Sequence, residues 1–167
     1  MSFTKSDKNS FSDIFGLIGS KWMLITAKKD GKINTMTASW GTAGIMWNKP
    51  IAMCVIRPQR YTKGFVDASD YFTLSFLPEK YRKELNYLGT KSGRDGDKIK
   101  ETGLTPVDYD GNAVYFAESD DVLICKKIYF QTFDSANFLD PAINAVYNDD
   151  YHTMYFGEIT DVLKRQS

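Results

Sequence analysis

Short hydrophobic segments recur along the chain between turn residues, a pattern that predicts a mainly β protein. We predict strands at residues 22–28, 33–39, 51–56, 71–76, 114–117, 122–132 and 155–163. The segment 51–56 is an unbroken apolar run, so we expect it to be buried on both faces. Asp30-Gly31 and Asp110-Gly111 are dipeptides that tight hairpin turns prefer, with type I′ expected at the first. Residues 114–117 and 122–132 are expected to form an antiparallel pair.

Only short helices are expected between these strands. We predict helices at 63–68, capped by Thr62, at 78–89, with Pro78 in the first turn, and at 141–147. Residues 41–50 and 90–103 are predicted loops, the second with one helical turn at most. Because tight turns rather than long helices join most strands, an antiparallel barrel is favoured over a doubly wound parallel sheet. We predict a single domain over residues 1–167, with residues 1–12 as a loose arm.

Composition and charge narrow the possible functions. The chain has 21 basic and 21 acidic residues, and this balance does not favour a nucleic-acid-binding protein. Aromatic residues make up 14% of the chain, so we expect an apolar surface that a dimer interface would cover. The longest apolar run is too short to span a membrane and the amino terminus lacks a signal-peptide pattern, so we expect a soluble cytoplasmic protein. Cys54 and Cys125 are expected to be buried free thiols.

Several kinds of catalytic site are excluded by their missing motifs. His152 is the only histidine, and the two cysteines are isolated, so we expect no metal site. Neither HExxH nor GxSxG occurs. The phosphate loop GxxxxGK[ST] and the dinucleotide motif GxGxxG are also absent. A P-loop NTPase, a Rossmann dehydrogenase and an α/β-hydrolase are therefore disfavoured.

Four segments carry candidate chemistry, and each also has a plain structural interpretation. Residues 34–41 (NTMTASWG) offer hydroxyl and backbone donors to a flat heterocycle, or form an ordinary Thr-rich strand. Residues 57–63 (RPQRYTK) have the side chains that bind a phosphate; in the alternative interpretation they form a solvated basic turn. The glycine-rich segment 88–98 suits an anion, or is a surface loop. His152, in 150–158, is a candidate functional residue, although a lone histidine is more often structural.

Taken together, these segments resemble the flavin-reductase-like family of FMN-binding split barrels, most closely its flavoredoxin branch. The resemblance rests on NTMTASWGTAGIMWNKPIAMCVIRPQRYT, on SGRDGDK and on HTMYFGEI, and it extends over residues 22–163. It implies a closed six-stranded antiparallel split β-barrel with short rim helices. It also implies a homodimer with one FMN near the interface in each half.

The resemblance further implies a set of cofactor-binding residues. The strand end would lie along the isoalloxazine ring through Met36, Thr37, Ala38 and Ser39. Trp40 would pack near the ring, with Trp47 as the alternative. The phosphate and ribityl chain would be bound by Arg57, Arg60, Tyr61, Thr62, Ser92, Gly93 and Lys98. His152 would lie close to the flavin or to the nicotinamide pocket.

The function implied by this resemblance is NAD(P)H-dependent reduction of FMN. In one interpretation the protein is a flavin reductase that supplies reduced flavin to a flavin-dependent monooxygenase. In a second, it is an electron carrier that holds FMN tightly and is reduced by a redox partner protein. The third is a flavin-binding protein without turnover. No nucleic-acid or membrane partner is expected.

Overall fold

The structure is a computed structural model that describes residues 3–6 and 13–166. The strands are β1 (Phe3–Lys5), β2 (Met23–Lys29), β3 (Lys32–Ala38), β4 (Gly41–Met46), β5 (Lys49–Ile56), β6 (Tyr71–Phe76), β7 (Pro106–Tyr109), β8 (Ala113–Phe116), β9 (Asp121–Thr132) and β10 (Thr153–Arg165). The α-helices are α1 (Tyr61–Ala68), α2 (Arg82–Thr90), α3 (Lys98–Thr102) and α4 (Pro141–Asn144). A π-helical segment, Gly16–Lys21, precedes β2, and 3₁₀ turns lie at Glu79–Tyr81 and Ser135–Asn137.

The predicted antiparallel, mainly β architecture is confirmed, but the predicted six-stranded closed barrel is wrong. Within residues 3–6 and 13–166, eight strands form one antiparallel sheet in the order β3-β2-β6-β9-β10-β5-β4, with β1 added on β10. The pairings form an open path from β3 to β4 and not a ring. β7 and β8 form a separate two-stranded ribbon.

The last strand, β10, holds the sheet together because it pairs with three neighbours. Its first half, from Thr153 to Glu158, pairs with β5, and its end pairs with β1. It pairs with β9 along most of its length, with register shifts after Phe156 and after Ile159. Such irregularities bend a strand, which allows the two halves of β10 to pair with different strands. Part of the segment predicted to be a loose arm, Phe3–Lys5, is therefore a strand; residues 1–2 and 7–12 lie outside the described residues.

The turn predictions were better than the prediction for residues 41–50. Asp30-Gly31 and Asp110-Gly111 both adopt positive φ angles, as a type I′ turn requires. The segment 41–50 is not a loop: β4 and the start of β5 form a hairpin across it. Its turn residues, Trp47 and Asn48, adopt φ angles of 51° and 56° without a glycine. The hairpin tip is exposed and apolar, so it lacks the alternating pattern that identifies a half-buried strand.

Two other local predictions are corrected by the structure. The strand at 113–116 pairs with β7, whereas β9 pairs with β6 and β10, so the predicted pairing of 114–117 with 122–132 is wrong. Helix α1 begins at Tyr61, and Thr62 lies inside it and does not cap it. The Thr62 hydroxyl is buried and accepts a hydrogen bond from Asn34 Nδ2 at 2.8 Å, a tertiary contact that local sequence does not indicate.

The main hydrophobic core lies on one face of the sheet and includes both cysteines. Cys54 and Cys125 are free and buried, and burial raises the pKa of both thiols. Helix α1 covers part of this core through Phe65 and Val66. None of the helices in the described ranges is long and apolar enough to cross a membrane.

Packing around Gly157 gives a first prediction. A Cβ added there would meet Cys125 Cβ at 2.6 Å and Phe72 Cζ at 2.8 Å. We therefore expect Gly157→Ala to lower the free energy of unfolding by about 1–3 kcal/mol, the usual cost of overpacking a core. Urea denaturation measures this loss. The control is Gly44→Ala on exposed β4, where nothing lies within 4 Å of the added Cβ. Equal stability of the two variants would contradict the packing described here.

Candidate functional site

A cavity of about 290 Å³ lies where the ends of several elements meet, and we call it the strand-end cavity. It is lined by Met36, Thr37, Ala38, Ser39, Trp40, Val55, Arg57, Arg60, Gly89 and His152. Eight of these ten residues are among the site residues predicted from the sequence. Three distant parts of the chain therefore bring the predicted residues to one place.

Sheet register explains this convergence. β3 delivers Met36, and the chain leaves β5 at Ile56, directly before Arg57. Thr153 of β10 pairs with Ile56, so the preceding residue, His152, enters the cavity beside Arg57. Helix α2 contributes Gly89 to the lining of the cavity, and the Thr37 hydroxyl donates a hydrogen bond to the Leu85 carbonyl of this helix at 2.5 Å.

Arg60 forms one corner of the strand-end cavity. Its Nη1 donates a hydrogen bond to the Gly89 carbonyl at 2.8 Å, which ties the turn after β5 to the end of α2. Burial lowers the pKa of the Arg60 guanidinium, although an arginine stays charged. Within residues 3–6 and 13–166, no carboxylate lies within ion-pair distance of Arg60. The guanidinium is thus a half-buried positive charge without a counter-ion.

Lys98 is a second cation close to Arg60 and is more deeply buried. Only 4% of the residue is exposed, and its Nζ donates to the carbonyls of Leu88 at 2.9 Å and Lys91 at 3.0 Å. Burial, together with the positive charge of Arg60, lowers the pKa of Lys98 to about 8. In the part of the chain that the structure describes, no carboxylate pairs with Lys98 either. An anion bound between these groups would compensate two buried charges.

A second cavity, of about 710 Å³, lies along the glycine-rich segment that contains Gly93 and Gly96, and we call it the glycine-loop cavity. Tyr61, Gly93 and Lys98 of the predicted site line it, together with Asn34. Gly93 is required there, because a Cβ would lie 2.3 Å from Asn34 Oδ1. The Ser92 hydroxyl accepts a hydrogen bond from the Arg94 amide at 3.2 Å and lines neither cavity. Thr62 lies behind Asn34 and holds its side chain in place.

Arg57, predicted to bind phosphate, has a carboxylate partner in this structure. Its Nη1 donates to Asp150 Oδ2, and its Nη2 donates to the Val146 carbonyl at 3.3 Å. Its guanidinium lies 5.1 Å from the centre of the Tyr147 ring. The amide of Asn148 and the side chains of Gln59 and Arg57 hold the pKa of Asp150 well below its usual range. The charge of Arg57 is thus compensated within the protein, unlike that of Arg60.

His152 is a neutral imidazole at physiological pH. Burial, helped by the charge of Arg57, lowers the pKa of His152 to about 4. Its Nδ1 lies 2.9 Å from the Tyr147 hydroxyl, and its ring centre lies 5.3 Å from that of Trp40. His152 and Trp40 therefore form an aromatic wall of the strand-end cavity. Trp47 lies away from this wall, at the tip of the β4–β5 hairpin against Tyr129 and Phe156.

Comparison with known proteins identifies the family of this chain. The sequence profile of the flavin reductase like domain matches residues 15–167. The chain belongs to this family. A comparison with curated proteins gave no match.

Solved structures show where the family fold recurs. The flavoredoxin of Desulfovibrio vulgaris (Miyazaki F) is 25% identical, with a TM-score of 0.69 over 87% of this chain and 69% of that chain. An FMN-binding protein from Thermus thermophilus is 17% identical, with a TM-score of 0.72 over 98% of this chain and 82% of that one. An NADH:FAD oxidoreductase of Streptomyces globisporus, in complex with NAD and FAD fragments, is 16% identical, with a TM-score of 0.65 over 87% of this chain and 74% of that one. The last two likenesses concern the fold alone.

Proposed function

We propose that this flavin reductase-like protein binds FMN and uses NAD(P)H to reduce flavin. The observation that carries the proposal is a pair of cations, the half-buried Arg60 and the buried Lys98, which lack a carboxylate partner in the described residues. Arg60 lines the strand-end cavity with its aromatic and hydroxyl groups, and Lys98 lines the glycine-loop cavity. A phosphate ester attached to a flat ring system fits both features. The names of the similar structures, which include flavoredoxins and an NADH:FAD oxidoreductase, support the same class of chemistry.

Individual residues have separate roles in this proposal. Arg60 and Lys98 would bind the phosphate, with the backbone at Gly93 near it and Ser92 and Thr62 shaping the site from behind. The strand end from Met36 to Ser39 would lie along the ring, and Trp40 would cover one side of it. Arg57 would remain paired with Asp150 and position the cavity wall that contains His152.

When bound, FMN supplies a ring nitrogen that accepts hydride from a reduced nicotinamide. The protein's own task is then binding, orientation and exclusion of water. No cysteine is available as a nucleophile, because both thiols are buried in the core and burial raises the pKa of each. His152 is neutral with its Nδ1 held by Tyr147, so it adds no positive charge to the cavity. Free thiols suit a reducing compartment, and we place the activity in the cytoplasm.

Simple assays distinguish reductase activity from two other functions, electron transfer and flavin binding without turnover. NAD(P)H oxidation in the presence of excess FMN is expected for a reductase that supplies reduced flavin to a monooxygenase. If the protein binds FMN but does not oxidise NAD(P)H, reduction by a small iron–sulfur protein would indicate an electron carrier. Flavin binding with neither reaction would indicate a protein without turnover.

We also propose a homodimer with FMN near the interface. The support is an exposed apolar patch, which we call the hairpin patch, formed by Ile45, Met46, Trp47 and Tyr129 beside the half-buried Phe156. Trp47 is 54% exposed even though its ring contacts Tyr129 and Phe156. Apolar surface of this kind is typical of interfaces between subunits.

The hairpin patch gives a second prediction. Trp47→Glu places a charge in the interface, so we expect it to convert the dimer to a monomer in analytical ultracentrifugation. The control, Asn86→Glu, adds the same charge at an exposed position of helix α2 and should leave the molecular mass of the dimer unchanged. A dimer of unchanged affinity in Trp47→Glu would show that another surface is used.

The ionisation of Lys98 gives a third prediction. The Lys98 amine loses its proton above pH 8, so FMN must then bind with uptake of a proton. We expect the affinity for FMN to be level near neutral pH and to fall above pH 8, with a slope that approaches tenfold per pH unit. Lys98→Arg, which stays charged, should flatten the profile. A flat wild-type profile from about pH 7 to pH 9.5 would contradict the role of Lys98.

A further inference from the structure

Tyr147 is the one side chain that hydrogen-bonds to the His152 imidazole within the described residues. Its hydroxyl oxygen lies 2.9 Å from His152 Nδ1, and the two ring planes meet at 86° with 5.5 Å between ring centres. His152 is only 8% exposed, and it lines the strand-end cavity. This contact therefore determines how the imidazole is presented to the cavity.

The Tyr147 hydroxyl is the donor in this hydrogen bond. Burial, helped by the charge of Arg57, lowers the pKa of His152 to about 4, and a neutral imidazole carries one N–H and one lone pair. The Tyr147 hydroxyl has no other acceptor in residues 3–6 and 13–166, so a proton on Nδ1 would leave the hydroxyl hydrogen without a protein partner. Nδ1 therefore accepts the hydrogen bond, and the proton of the imidazole is on Nε2.

Cationic and aromatic contacts hold Tyr147 in the position that this bond requires. The Arg57 guanidinium lies 5.1 Å from the centre of the Tyr147 ring, and Tyr151 stacks on the ring at 4.9 Å between centres. Arg57 is itself fixed, because it forms an ion pair with Asp150. The pair of Arg57 and Asp150 thus supports the ring that orients His152.

The Nε2–H group of His152 remains available as a neutral donor in the strand-end cavity. It has no hydrogen-bond partner among the described residues, and the Trp40 ring centre lies 5.3 Å from that of the imidazole. Arg60 and Lys98 are charged donors and favour an anion. A neutral N–H group instead fits a carbonyl oxygen or an unprotonated ring nitrogen, and the edge of an isoalloxazine ring offers both.

We propose that Tyr147 is a positioning residue that fixes His152 in the Nε2–H tautomer, so that the imidazole donates a hydrogen bond to an acceptor atom of the flavin ring. The inference rests on the proposed function, because the acceptor belongs to the FMN that would lie along Met36 to Ser39. Without the Tyr147 hydroxyl, the imidazole proton can occupy either nitrogen. In the other tautomer Nε2 is itself an acceptor, so it would repel the acceptor atoms of the ring.

Nitrogen NMR of the flavin-free protein tests the tautomer independently of FMN. His152 is the only histidine, so histidine labelled with the heavy nitrogen isotope gives the signals of one imidazole. At neutral pH we expect two well-separated shifts, from a protonated Nε2 and an unprotonated Nδ1. Tyr147→Phe keeps the ring beside Arg57 but removes the hydroxyl, and its two shifts should move toward a common average.

Tyr151→Phe is the matched control for the NMR experiment. The Tyr151 hydroxyl donates to Asn144 Oδ1 at 2.9 Å and does not contact His152, so this variant should keep the wild-type shifts. A protonated Nδ1 in the wild-type protein would overturn the proposal. Wild-type shifts in Tyr147→Phe would equally overturn it, because the hydroxyl would then have no influence on the tautomer.

Titration with FMN tests whether the fixed proton is used in binding. We expect His152→Leu to weaken FMN binding about tenfold, the effect of losing one hydrogen bond, and Tyr147→Phe to weaken it about two- to fivefold. His152→Gln, whose amide can donate, should stay within about threefold of wild type. The control Tyr151→Phe should bind FMN as the wild-type protein does.

The outcomes of this titration separate the donor role from the proposed function. Equal FMN affinity in the wild-type protein, His152→Leu and Tyr147→Phe would overturn the donor role and leave the phosphate site at Arg60 and Lys98 standing. An equal loss in His152→Gln and His152→Leu would also overturn it, because the donor would then not matter. Failure of the wild-type protein to bind FMN would instead overturn the proposed function, and with it the donor role.

Discussion

Replacing Arg60 by alanine is expected to weaken FMN binding about ten- to one-hundred-fold. Hydrogen bonds to charged groups contribute roughly 1.5–3 kcal/mol, and about 1.4 kcal/mol corresponds to a factor of ten in a dissociation constant. Arg60 is suited to this role because its guanidinium is half-buried, is held by the Gly89 carbonyl and has no carboxylate partner in the described residues. Titration of FMN, followed by quenching of its fluorescence, measures the change.

Two other arginines act as controls for this measurement. Arg82 pairs with Glu79 and lies over the Trp22 ring, away from the cavity, so Arg82→Ala should keep wild-type affinity for FMN. Arg57 pairs with Asp150, so Arg57→Ala should weaken FMN binding less than Arg60→Ala does. Wild-type affinity in Arg60→Ala, or a larger loss in Arg57→Ala, would contradict the phosphate assignment.

Replacing Phe72 by alanine is expected to remove about 3–5 kcal/mol from the free energy of unfolding. Phe72 on β6 is fully buried in the main core, where its ring lies against the backbone of Gly157. Neighbouring strands are fixed by hydrogen bonds and cannot collapse fully into the space that the ring leaves. Since domains have a total stability of roughly 5–15 kcal/mol, this variant should be close to unfolding at room temperature.

Urea denaturation with Phe130→Ala as the control tests this prediction. Phe130 is also a strand phenylalanine, but 62% of it is exposed, so its truncation should cost much less in the free energy of unfolding. Equal losses in the two variants would show that Phe72 is not the core residue described here.

Elements with strong local signals were predictable from the sequence. The strand at 71–76 has the predicted bounds, and both Asp-Gly turns have the positive φ angles that these residues tolerate. Eight of the predicted site residues meet in the strand-end cavity, and the sequence indicated them because they lie in short segments next to strands, with hydroxyl, aromatic and basic residues close together. Predictions of this kind depend on neighbours in the sequence.

Tertiary contacts account for the features that the sequence did not reveal. Thr62 looks like a helix cap, but its hydroxyl is used by Asn34, 28 positions earlier. No sequence pattern indicated the contacts that hold Arg57 and His152 in place. These contacts are made by Asp150, Gln59 and Tyr147, and they join the turn after β5 to the segment before β10. The β4–β5 hairpin was missed because its tip is exposed and apolar.

The most direct test of the central claim is an equilibrium titration of the wild-type protein with FMN, followed by anaerobic addition of NADH or NADPH. We predict saturable binding of one FMN per chain and loss of the visible flavin band when reduced nicotinamide is added. Binding without saturation would contradict the flavin site built on Arg60 and Lys98. Saturable binding with a flavin band that persists after both nucleotides are added would contradict the NAD(P)H-dependent activity.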